Sequence, residues 1–281
     1  MPELPDLLYI KRHLDEVLPG RTVRAVTVKQ SVVLRNGLDR PAEDQLAGAT
    51  ISAVQIHGPF ITVRLSGGIV LILNLMLAGH LQYQRSGEKT AGYLCVGVGL
   101  DDGSALNLCD EQKMAKLYLV REGDEATVPR YASQGVDILG SGFTKEVFRA
   151  VAHAHQRKQV RVFINDHSVM SAIGNAYADE ILFEARIHPK TFVSRLSVEE
   201  IDRLYDAIRA VMAWGAGEVE RAGQPIHVKV RDHMKVRNRK GEACPRCGTT
   251  IRREGVRGHD VFFCPACQPA SRTLFIDWRK V

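Results

Sequence analysis

Four of the six cysteines in this 281-residue chain fall into two Cys-x-x-Cys pairs, Cys244-Pro-Arg-Cys247 and Cys264-Pro-Ala-Cys267, with 16 residues between them. Each pair forms a tight turn that aims two thiolates at one ion, and a structural Zn²⁺ takes four such ligands at the corners of a tetrahedron. Two turns at hairpin separation therefore predict a zinc ribbon holding one zinc. Sulfur fills every ligand position, so the metal has no open place for substrate and its role is structural. A pair of redox-active dithiols is the other use of this pattern, but two matched pairs across one short stretch argue for metal. The N-terminus lacks the basic-then-apolar layout of a secretory signal, which argues against a disulfide framework. Cys95 and Cys109 lie among apolar neighbours and read as small core residues.

The ribbon is also where the positive charge collects. The formal net charge is +6, yet residues 229–281 alone hold 13 Lys/Arg against 5 Asp/Glu, leaving the rest slightly acidic. Concentrated positive charge favours a polyanion, because each neutralised phosphate releases bound counterions. Between the cysteine pairs stand Arg252, Arg253, Arg257 and His259, then Val261-Phe262-Phe263. Alternation along a hairpin would show the basic side chains on one face and pack the aromatics on the other, suiting a loop laid against DNA. A solvated basic hairpin is the plainer alternative. No apolar run approaches the roughly 20 residues that span a bilayer, so no membrane partner is expected and a cytoplasmic, nucleoid-associated protein is.

Upstream, Leu7, Leu8, Ile10, Leu14, Val17 and Leu18 recur at near-helical spacing until Pro19-Gly20, predicting an amphipathic first helix. Strand-like segments follow at 23–28, 50–56, 61–65, 69–73, 93–100 and 116–120, with turns at Ser66-Gly67-Gly68 and Asp101-Asp102-Gly103. An antiparallel β-sandwich accounts for them. Helices are expected at 143–155, 160–166, 174–184 and 198–213. The class is thus α+β, in three parts: residues 1–130 as a β-sandwich with its N-terminal helix, 131–228 as a helical domain, and 229–281 as zinc ribbon and C-terminal tail.

Three further stretches carry a resemblance. The opening Pro2-Glu3-Leu4-Pro5-Asp6 resembles the start of the formamidopyrimidine-DNA glycosylases. The run Ile173-Gly174-Asn175-Ala176-Tyr177-Ala178-Asp179-Glu180-Ile181-Leu182-Phe183, continued by Ile187-His188-Pro189, is similar to that family's helix–two-turn–helix signature. Arg239-Lys240-Gly241-Glu242 and the ending Cys264-Pro-Ala-Cys267-Gln268 match as well. The chain is identified as a divergent member of the formamidopyrimidine-DNA glycosylase and endonuclease VIII family. The resemblance implies a base-excision enzyme on double-stranded DNA with damaged bases or abasic sites, working as a monomer. It implies Pro2 and Glu3 as the catalytic pair and Asn175 as a contact to the phosphate beside an extruded nucleotide.

The chemistry fits those residues. Once Met1 is removed, Pro2 presents a secondary amine, and an α-amino group titrates near ~8, well below lysine. Attack on C1′ of a deoxyribose gives an iminium that displaces the base and permits strand cleavage by β-elimination. Glu3 adjoins the nucleophile as proton-transfer partner, although a carboxylate there also suits a helix start. Asn175 suits a helix cap equally well, and Tyr177 reads as packing.

Departures from the family pattern limit what carries over. Where the family places a lysine in the turn between two early strands, this chain has Ile56-His57-Gly58-Pro59-Phe60, and Pro59 has neither charge nor donor. His57 is the nearest substitute. The zinc-hairpin arginine is replaced by His259, with Arg257 close by. Leu77, Gln112 or Lys113, and Met114 stand where the family fills the gap left by a flipped base, with Leu77 and Met114 as the base-stack wedges. Lysine lacks the arginine fork, so weak or absent activity on 8-oxoguanine and looser opposite-base selectivity are expected. The rival expectation is a DNA-binding protein that has lost catalysis.

Overall fold

A computed structural model describes residues 1–270; the C-terminal tail expected within 229–281 lies mostly outside them. The chain packs as two compact units, the first made of residues 1–133 with 216–230, the second of 134–215 with the residues from 231 onward. Among the described residues no helix is long and apolar enough to cross a membrane.

The first unit opens with α1 (Leu4–Val17), whose Leu4, Leu7, Ile10 and Leu14 are all buried. Two sheets follow, drawn from β1 (Val23–Val28), β2 (Leu34–Asn36), the short helix α2 (Ala42–Leu46), β3 (Ile51–His57), β4 (Phe60–Leu65), β5 (Ile69–Asn74), β6 (His80–Gln84), β7 (Leu94–Leu100), β8 (Ala105–Cys109) and β9 (Lys116–Arg121). One sheet runs β1-β7-β8-β6 and the other β2-β9-β5-β4-β3. Pairing is antiparallel except between β2 and β9, which run parallel. Gly67 and Gly68, both at positive φ, close the β4–β5 hairpin, a conformation open to glycine at little cost. Cys95 and Cys109 are buried, and desolvation pushes the Cys109 thiol up to about 11, which keeps it inert.

The sequence reading missed β2, β6, β8 and α2. Those segments are short, and polar residues interrupt them: β6 reads His-Leu-Gln-Tyr-Gln.

The second unit holds α3 (Lys145–Ala154), α4 (Val160–Ile164), α5 (Asn175–Ala185), most of α6 (Val198–Ala222), and a hairpin of β10 (Arg252–Val256) with β11 (His259–Phe263). Helix α6 runs nine residues beyond its expected end, through Gly215 and Gly217. Glycine weakens a helix interior by roughly 1 kcal/mol, but Gly215 has a packing reason. A Cβ there would come within 2.3 Å of the buried Tyr177 ring. Tyr177 is therefore a packing residue.

The hairpin corrects one detail. Its faces do not alternate: the basic Arg252 and Arg253 are exposed on β10, while Val261, Phe262 and Phe263 of β11 are all buried. Phe262 joins Phe183, Val236, Ile251, Cys244 and Cys264 in one apolar cluster, and the C-terminal part of β11, from Val261 to Phe263, is covered on both sides.

Candidate functional site

At the start of α1, Pro2 and Glu3 are both buried. Glu3 is the N-cap, and it forms a reciprocal capping box with Asp6: the Glu3 amide donates to Asp6 Oδ2 at 2.8 Å, and the Glu3 carboxylate accepts the Asp6 amide. The structural use expected for Glu3 is thus realised, and it fixes the carboxylate beside Pro2. The Met1 amine donates to the Leu77 carbonyl at 3.0 Å, and Lys229 Nζ donates to the same oxygen at 3.2 Å.

Leu77 is 60% exposed and Met114 is 36% exposed. Neither is the core residue that an apolar side chain usually is. Each follows a non-glycine residue in the left-handed region, Met76 at φ 49° and Lys113 at φ 56°. Such backbone costs about 1–2 kcal/mol and persists only where its surroundings enforce it. Asn74 Oδ1 accepts the Met76 amide at 3.1 Å. In the second loop the enforcer is Asp110, a fully buried carboxylate that accepts the amides of Gln112, Met114 and Ala115 at 2.9, 2.8 and 2.7 Å. The two loops touch: a Cβ on Gly79 would lie 2.7 Å from Ala115 Cβ and 2.5 Å from the Leu75 carbonyl oxygen. Lys113 Nζ sits 5.4 Å from the centre of the Tyr93 ring.

Asp110 was missed at the level of sequence, although an aspartate opening a loop, with its carboxylate free to accept amides two to five residues on, is a readable turn signal. Replacing Asp110 with alanine should strip three amides of their acceptor and destabilise the loop by about 2–4 kcal/mol. Hydrogen exchange at Gln112, Met114 and Ala115 checks this, with at least about tenfold faster exchange expected.

The turn between β3 and β4 carries no lysine or arginine. Pro59 is buried, and His57 Nε2 meets the Tyr131 carbonyl at 2.7 Å, with the two rings 4.4 Å apart. Tyr131 also packs on Phe60 at 5.3 Å.

In the second unit Asn175 is half-buried as the first residue of α5, and the cap position falls to Gly174 instead. Asn175 Oδ1 accepts from Arg161 Nη2 at 2.9 Å. Arg161 also pairs with Asp179 Oδ1 at 3.0 Å, and Arg237 reaches Asp179 Oδ2 at 2.8 Å. Burial pushes the Asp179 carboxyl up, against the pull of the two guanidiniums. Glu180, pushed up by burial as well, accepts the amides of Lys235, Val236 and Arg237. Arg257 and His259 are exposed at the tip of the β10–β11 hairpin, Arg257 at φ 47°.

The sulfurs of Cys244, Cys247, Cys264 and Cys267 lie within 4.8 Å of one another, with separations of 3.9, 3.5 and 3.4 Å for 244–267, 247–264 and 247–267. A tetrahedron with Zn–S bonds near 2.3 Å needs sulfurs about 3.8 Å apart. The donor set fits zinc. Burial, followed by the neighbouring sulfurs, pushes the Cys267 thiol up to about 12, the repulsion that a divalent cation relieves. These four residues form one structural zinc site.

Three family models match in chain order: the formamidopyrimidine-DNA glycosylase N-terminal domain over residues 1–117, the formamidopyrimidine-DNA glycosylase H2TH domain over 135–225, and the zinc finger found in FPG and IleRS over 241–270. Curated relatives include the formamidopyrimidine-DNA glycosylase of Symbiobacterium thermophilum, 30% identical over an alignment spanning 100% of this chain and 93% of that protein. The one from Cytobacillus firmus is 31% identical over 95% of this chain and 100% of its own. Among solved structures, the MutM (Fpg) protein from Thermus thermophilus has a TM-score of 0.82 at 28% identity, covering 96% of this chain and 100% of that one. The Lactococcus lactis Fpg in complex with abasic-site DNA shares the fold, with a TM-score of 0.83 at 19% identity over 95% of this chain and 100% of that one. The segments 1–117, 135–225 and 241–270 thus match on sequence, as nearly the whole chain does on fold, and the chain belongs to the formamidopyrimidine-DNA glycosylase family.

Proposed function

We propose that this DNA-repair glycosylase is bifunctional, releasing a damaged base and then cleaving the strand, with the Pro2 amine as nucleophile after removal of Met1. One observation carries the reading: Pro2 and Glu3 are buried together at the head of α1, where the chain's first nitrogen meets the Leu77 loop. The Pro2 nitrogen adds to C1′ as the bond from C1′ to the base breaks, and the departing base takes up a proton. The amine proton then passes to the ring oxygen as the sugar opens to an iminium, with Glu3 as the carrier. The iminium acidifies C2′–H, and loss of that proton expels the 3′ phosphate by β-elimination.

Leu77 and Met114 are the wedges that fill the space left by the extruded nucleotide, and their exposure on touching loops supports that use. Asn175, Arg257, His259 and Lys113 contact DNA, with His57 the weakest candidate because its Nε2 is engaged by Tyr131. The loop from 110 to 115 offers Gln112 and Lys113 but no guanidinium fork, which supports a lesion choice diverged from 8-oxoguanine. The protein acts as a monomer on double-stranded DNA, in the cytoplasm at the nucleoid.

A second reading, a damage-binding protein without catalysis, draws on the buried Pro59 and the engaged His57. Borohydride trapping on an abasic-site duplex separates the two, using protein whose loss of Met1 is verified by mass spectrometry. A covalent adduct is expected. Binding without an adduct leaves the second reading, and a panel of single-lesion duplexes then identifies the preferred base.

A further inference from the structure

Two elements of the second unit, the half-buried α5 start and the exposed zinc-hairpin tip, are joined through a single buried carboxylate. Asp179 has no exposed surface, and its two oxygens point two ways. On one side Arg161, itself buried, donates through Nε to Asp179 Oδ1 and through Nη2 to Asn175 Oδ1 at 2.9 Å and the Asn175 carbonyl at 3.2 Å. On the other side Arg237 Nη1 donates to Asp179 Oδ2 at 2.8 Å and to the Asp260 carbonyl at 2.9 Å, next to His259. The Phe262 amide also donates to Asp179 Oδ2, at 3.3 Å, and the Arg237 guanidinium lies 5.0 Å from the Phe262 ring centre.

The amide of Asn175 has one acceptor end and one donor end. A guanidinium on Oδ1 settles which is which: oxygen inward, NH₂ outward, the orientation that binds an anion. The same Asp179 fixes the register of the hairpin strand that carries His259. We propose that Arg161, Asp179 and Arg237 are positioning residues that make Asn175 and the zinc-hairpin tip a single phosphate clamp, so that neither grips DNA at full strength when the other is released. This rests on the reading of Asn175 and the hairpin as DNA contacts.

A double-mutant cycle tests it, with the zinc-loaded full chain and a duplex bearing a tetrahydrofuran abasic analogue. Asn175→Ala should weaken binding about tenfold, and Arg237→Met about tenfold as well, each lowering the salt slope by about one phosphate. In the Arg237→Met background, Asn175→Ala should cost less than about threefold, because the two losses overlap. Arg237→Lys can bridge the same two oxygens and should stay within about threefold of the wild type. Full multiplication of the two losses overturns the clamp while leaving both residues as DNA contacts. No effect of Asn175→Ala in the wild-type background overturns the contact reading, and the clamp with it. Zinc content and melting are measured on every variant. Should Arg237→Met lose either, Arg237→Gln replaces it in the cycle.

Discussion

Replacing Pro2 with glycine is expected to lower the yield of borohydride-trapped adduct by about a hundredfold or more, while binding to the same abasic duplex stays within about threefold. Proline is a secondary amine, so its condensation with a sugar carbonyl carbon gives a cation outright. Glycine gives a neutral imine that must capture a further proton, and it lacks the ring that fixes the nitrogen at the head of α1. Adduct formation by the wild type should rise with pH through about 8, since only the unprotonated α-amine has a lone pair to donate. A companion variant divides the two duties of Glu3. Glu3→Gln keeps an oxygen for the Asp6 amide, so α1 stays capped, but it removes the group that passes protons. On a damaged-base duplex, ring opening to the iminium and the strand cleavage that follows should slow about a hundredfold in Glu3→Gln, with cleavage at a preformed abasic site, which can react as its open aldehyde, less affected. Unchanged trapping by Pro2→Gly would show that a secondary amine is not required, and an undiminished adduct from protein that keeps Met1, where the Pro2 nitrogen is an amide, would exclude that nitrogen as the nucleophile.

Loss of zinc is the second large effect. Cys264 is fully buried and packs with Phe183, Val236, Ile251 and Phe262 around the metal ligands. Structural zinc contributes on the order of 10–16 kcal/mol in isolated fingers, which is most of what holds a module this small together. Cys264→Ser should carry no zinc after dialysis, against one per chain for the wild type by elemental analysis. The β10–β11 hairpin should lose its hydrogen-exchange protection, and DNA affinity should fall by at least about a hundredfold with a shallower salt dependence. Cys109→Ala serves as the control: it removes a buried thiol from the other unit and should leave the zinc untouched. Retained zinc in Cys264→Ser would reject the four-sulfur assignment.

Much of this was legible in the residues because the relevant physics is local. The spacing of Leu7, Ile10 and Leu14 specified the buried face of α1, and paired cysteines announced the metal. The apolar runs of β4 and β5 flanking Ser66-Gly67-Gly68 announced a hairpin. The helix end was misjudged for a non-local reason: Gly215 and Gly217 look like a stop until Tyr177, 38 residues earlier, is seen lying against Gly215. The supporting residues of the site were illegible for the same reason. Arg161 meets Asp179 across 18 positions and Arg237 meets it across 58, so no motif window contains both partners. Asp110 was the exception, with all three of its acceptor bonds falling within five residues.

Gly79 gives the first unit an asymmetry in what it tolerates. A saturation library there should return glycine alone, since any β-carbon would drive the Leu75 and Ala115 segments apart. Codons 77 and 114, at open tips, should accept a wide range of side chains under selection for folding, and a range of bulky ones under selection for DNA repair. Drift can therefore rewrite what the two fingertips are made of, while the gap between them is inherited unchanged.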